Sequence, residues 1–80
     1  MRYPDGQEIC IGDVVAFGSE HHGAVVVDID GQAAAPPHVI QDWASLVTGV
    51  VIDTSFGGLV HYQDEATLEG EAIALVRRAQ

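Results

Sequence analysis

Eighty residues, 48% of them hydrophobic, supply one core and leave no room for a second domain, so residues 1–80 read as a single unit. Twelve carboxylates face only three arginines and no lysine, a formal net charge of −9, and between Tyr3 and Val76 every formal charge is negative. That balance repels phosphate backbones and anionic lipids and argues against a nucleic-acid reader, while the Val, Ile and Leu content argues against disorder.

A single cysteine, Cys10, permits no internal disulfide and points to a reducing compartment, the cytoplasm. The N-terminus lacks the apolar stretch of a signal peptide. Aliphatic runs such as residues 24–27 are too short to cross a bilayer.

The first expected strand covers residues 13–17, where β-forming Val14, Val15 and Phe17 lie between the turn glycines Gly12 and Gly18. The clearest strand is residues 24–30. There Val25, Val27 and Ile29 alternate with Val26, Asp28 and Asp30, so that one face is buried and the other carries carboxylates to water. Residues 33–37, Ala-Ala-Ala-Pro-Pro, read as a loop. Behind Pro37, the helical spacing of Val39, Trp43 and Leu46 predicts one or two helical turns.

Gly49 restarts an extended run over 50–54, with Val50 and Ile52 on one side and Val51 and Asp53 on the other. Residues 56–58, Phe-Gly-Gly, reverse the chain into a partner strand at 59–62. The polar stretch 63–70 reads as a loop, and a last strand at 72–77 points Ile73 and Leu75 inward. The expected fold is mainly β: a small SH3-like barrel of about five strands with a short helical insert between the second and third.

Catalytic chemistry finds little support. His21 and His22 are adjacent and on a strand would face opposite ways, and His38 and His61 lie in separate elements, so no metal-ligand spacing results. Ser19, Ser45 and Ser55 lack a nucleophile elbow, and Cys10 has no basic neighbour to lower its pKa. No phosphate loop is present, and Asp64-Glu65 reads as a solvated pair. The expectation is a non-enzyme without cofactor or metal.

Binding chemistry is better supplied. Asp28, Asp30 and Asp53 are expected to emerge on the solvent side of their strands with Val26 and Val51 between them, an apolar centre with an acidic rim. Asp42 and Trp43 in the insert add a carboxylate beside an aromatic anchor, although a lone Trp in a chain this small is more often core. The expected partner-binding set is therefore Asp28, Asp30, Asp42, Trp43 and Asp53, and the expected partner a basic protein. An exposed Val26 or Val51 would serve a homodimer face equally well.

One combination of motifs spans nearly the whole chain. Residues 3–7 (Tyr-Pro-Asp-Gly-Gln), Ile9 and residues 11–15 (Ile-Gly-Asp-Val-Val) precede the Gly-x-Val-Val of residues 23–26. Asp42-Trp43, Leu46, Gly49-Val50 and residues 58–62 (Gly-Leu-Val-His-Tyr) follow. In order and spacing this resembles small bacterial proteins encoded beside polymorphic or type VI secretion effectors, similar to their immunity proteins. The resemblance implies a protein that binds and neutralises a cognate toxin. An acidic inhibitor would occupy the basic cleft of a toxin acting on nucleic acid and associate quickly through long-range attraction. The alternative expectation is an SH3-like adaptor or accessory subunit recognising a basic segment.

Overall fold

The computed structural model describes residues 1–79. One antiparallel sheet contains β1 (Val14–Phe17), β2 (His21–Asp28), β3 (Ala33–Ala34), β4 (Val50–Thr54), β5 (Gly58–Tyr62) and β6 (Ile73–Arg77), and a short α-helix, α1 (Glu65–Gly70), joins β5 to β6. The order across the sheet is β5-β4-β2-β1-β6, and the two-residue β3 pairs with β2. The mainly β expectation holds. A closed barrel is not shown: β5 and β6 end the strand order, no ladder joins them, and the sheet is open among the described residues.

The long central strand organises the rest. Along one edge β2 pairs with β4; along the other it pairs with β1 through its first half and with β3 through its second. Val25 lies opposite Ile52 and Val27 opposite Val51, which leaves Val26 as the extra residue of a β-bulge. An added residue inverts the alternation beyond it. Val25 therefore joins the main core with Val50 and Ile52, whereas Val27 and Ile29 join Val51 in a second cluster on the other face. The sequence pattern had Val25, Val27 and Ile29 on one face; all three are buried, but the bulge divides them.

The main core gathers Val15, Phe17, Val25, Val50, Ile52, Tyr62 and Ile73 from the strands, Tyr3 and Ile9 from the N-terminal segment, and Leu68 from α1. The second cluster is roofed by the insert, two 3₁₀ turns at Ile40–Asp42 and Ala44–Leu46, through Ile40 and Trp43. Helical turns were expected there, with Val39, Trp43 and Leu46 as the apolar contacts. Trp43 does pack inward, but Val39 and Leu46 are exposed, because the 3₁₀ turns aim Ile40 inward instead.

Two further elements differ from the sequence reading. Ala33 and Ala34 form β3 opposite Asp28 and Val27 instead of a plain loop. The polar stretch contains α1, started by Asp64, whose side chain accepts the Thr67 amide at 3.0 Å while the Thr67 hydroxyl donates back to the Asp64 carbonyl. Gly49 lets the insert return to β4: its φ is +106°, and a Cβ there would strike the Tyr62 carbonyl.

Candidate partner-binding surface

Strand register settles what each face offers. On the face away from the main core lie Val14 and Ala16 of β1, His22 and Ala24 of β2, Asp53 of β4, Leu59 of β5 and Ala74 of β6. The insert roofs only the end of this face that holds Val27, Ile29 and Val51. Elsewhere the face is in contact with water: Val14, Ala16 and Ala24 are half-buried, Ala74 and His22 are exposed and Leu59 is 43% exposed. A sheet face with small apolar residues among its exposed side chains can meet another protein closely.

Asp53 stands exposed within this face, cross-strand from Ala24 on one side and Leu59 on the other. No salt bridge or side-chain hydrogen bond to its carboxylate is present among the described residues. The one arginine that register brings here is Arg77, opposite Val14 at the β6 edge. The other two are engaged: the Arg78 guanidinium donates to the buried Asp13 carboxylate at 2.9 Å, and that of Arg2 to the Gly6 carbonyl at 2.8 Å.

The five residues expected to bind do not share one surface. Asp53 is on the open face, and Asp42 and Trp43 belong to the insert that roofs its end; Asp42 is exposed, whereas Trp43 is half-buried against the second cluster. Asp28 pairs opposite Val50 and so belongs to the other face, where its carboxylate accepts the Gly31 amide at 3.0 Å and closes the following turn. Asp30 accepts the Gly49 amide at 3.2 Å and lies 3.9 Å from the N-terminal ammonium. The expected apolar centre is corrected too: Val51 is fully buried and Val26 half-buried, because β3 and the insert cover them.

The histidines are spread out. His21 and His22 take opposite sides of β2, and the His61 ring meets the Thr48 carbonyl at 2.8 Å, fixing the insert's exit. Among the described residues no three His, Cys, Asp or Glu side chains form a group able to hold a metal, and no helix is long and apolar enough to cross a membrane.

The polar centre of the molecule was not anticipated. Asp13 is fully buried, and its Oδ2 accepts from the Tyr3 hydroxyl at 2.6 Å, the Cys10 amide at 2.9 Å and Arg78. Burial, reinforced by the hydrogen bond to Asp13 and its charge, pushes the Tyr3 hydroxyl far above the ordinary tyrosine range. The network ties the N-terminal segment to the residue after β6, and the only sequence hint was an Asp at the head of an apolar strand.

Phe56 was also underread, as a turn residue. The three-residue turn after β4 sets its ring edge-on to Phe17, 5.1 Å between centroids at 88°. Comparison of this chain with family models, curated proteins and solved structures finds no match.

Proposed function

We propose that this protein is a small acidic inhibitor of the immunity type, which binds a positively charged partner, a bacterial toxin domain, and blocks it. The observation that carries the reading is the open sheet face: apolar and small at its centre, holding the unpaired Asp53, and bordered by an insert that presents Asp42. Apolar area supplies contact, and the net charge of −9 steers a basic partner toward it. The SH3-like part of the reading rests on the path of the five longer strands, in which β6 returns beside β1 and the bent β2 sits at the centre.

The resemblance to immunity proteins supplies the toxin as partner, and the charge supplies the mode of association. Co-expression with the product of the adjacent gene tests it. The reading predicts that this chain restores growth and co-purifies with that product in low salt. A harmless neighbour that never co-purifies contradicts it.

A further inference from the structure

A second surface, which Asp53 does not line, lies where three turns converge. The β1–β2, β4–β5 and α1–β6 turns border an open groove of about 380 Å³ lined by Phe17, Gly18, His21, Phe56, Glu71 and Ala72, among others. Two exposed rings, Phe56 and His21, line it. Phe56, 46% exposed, stands edge-on to Phe17, and the His21 ring is 5.2 Å from Phe56 at 62°. Tyr62 lies behind Phe17 at 6.2 Å between ring centroids, and its buried hydroxyl has no hydrogen-bond partner among the described residues. That hydroxyl is held above the ordinary tyrosine range by burial and by the nearby negative charge of Glu71.

Charge selects the occupant. Glu71 lines the groove, exposed Glu20 lies in the β1–β2 turn next to His21, and exposed Glu69 lies at the end of α1 next to Gly70. Among the described residues no arginine lines the groove. Aromatic surfaces beside a carboxylate suit a planar cation, because a guanidinium can stack on a ring and donate two parallel hydrogen bonds, which an ammonium cannot.

We infer that this groove is an anchor site for an arginine side chain of a protein partner, with Phe56 and His21 flanking the guanidinium and its stem and Glu71 accepting its hydrogens. From the proposed function the inference takes only that the partner is a basic protein. It adds a second point of contact and the residue type that fills it.

The test is a titration of the ¹⁵N-labelled protein with the peptide acetyl-Gly-Arg-Gly-amide and with its uncharged citrulline counterpart. The expected result is amide shifts concentrated at residues 18–21, 56 and 70–72, with citrulline binding weaker by about tenfold. Glu71→Gln and Phe56→Ala, both at exposed positions, should each weaken the arginine peptide about fivefold or more while the spectrum stays dispersed. Shifts absent from the groove, confined to the Asp53 face, or equal for citrulline overturn the anchor site. Because no toxin is needed, such a failure leaves the open-face reading standing, whereas failure of that reading shows in the growth experiment.

Discussion

Asp28 and Asp53, which strand alternation would place together, lie on opposite faces of one sheet because the bulge at Val26 separates them. Asp28 closes a turn through the Gly31 amide, while Asp53 touches no cation or donor among the described residues. Their substitutions should therefore part company. Asp28→Ala is expected to cost about 1 kcal/mol in urea denaturation through the lost hydrogen bond, and Asp53→Ala to stay within about 0.5 kcal/mol of wild type. Equal losses from the two would contradict the assignment of one to the fold and the other to the open face.

Asp13 is the most consequential carboxylate for stability. Asp13→Ala removes the acceptor of three hydrogen bonds and leaves the buried Tyr3 hydroxyl unpaired, an expected loss of about 3 kcal/mol. A domain of this size has roughly 4–12 kcal/mol in all, so chemical denaturation should show the midpoint falling steeply.

Alkaline titration gives an independent check. Both tyrosines, Tyr3 and Tyr62, are held above their ordinary range, chiefly by burial. A folded-state pKa above the unfolded value of about 10 means that the folded chain retains protons the unfolded chain releases. The associated stability is complete below that pH and is lost as pH rises past it. Absorbance near 295 nm should stay flat through the normal tyrosine range and rise only with unfolding, both residues together. A smooth rise in the folded protein would show that the hydroxyls are in contact with water.

The two ends of the insert–β4 connection predict effects of opposite sign. Val47 is 74% exposed at φ +72°, a region costly for a β-branched residue, so Val47→Gly should raise stability by about 1 kcal/mol. Gly49→Ala places a Cβ against the Tyr62 carbonyl and His61 Nε2 at φ +106°, and a loss of about 2 kcal/mol or more is expected. Thermal denaturation of the two variants, moving in opposite directions from wild type, checks both.

Much of the sheet could be read from local pattern. Val50 and Ile52 opposite Val51 and Asp53 is an alternation that β4 keeps, and Ile73 with Leu75 turn inward as expected. The bulge could not be read, because three consecutive valines satisfy either register and only pairing with β4 decides which of them is extra. That single residue moved Val27 to the second cluster and parted Asp28 from Asp53. The helix α1 was missed because its one buried side chain, Leu68, gives no periodicity, although Asp64 with Thr67 was a capping signal in plain view. The aromatic groove depends on turns from three distant parts of the chain, which no local pattern brings together.

The central claim is that Asp53 and its open face meet a basic partner. Its most direct test is the dissociation constant of the complex with the adjacent gene's product, measured for wild type and Asp53→Lys at low and at high salt. Wild-type binding should weaken as salt rises, and Asp53→Lys should weaken it by about tenfold or more at low salt, with less difference at high salt. Equal affinity of the two proteins, unaffected by salt, would contradict the account.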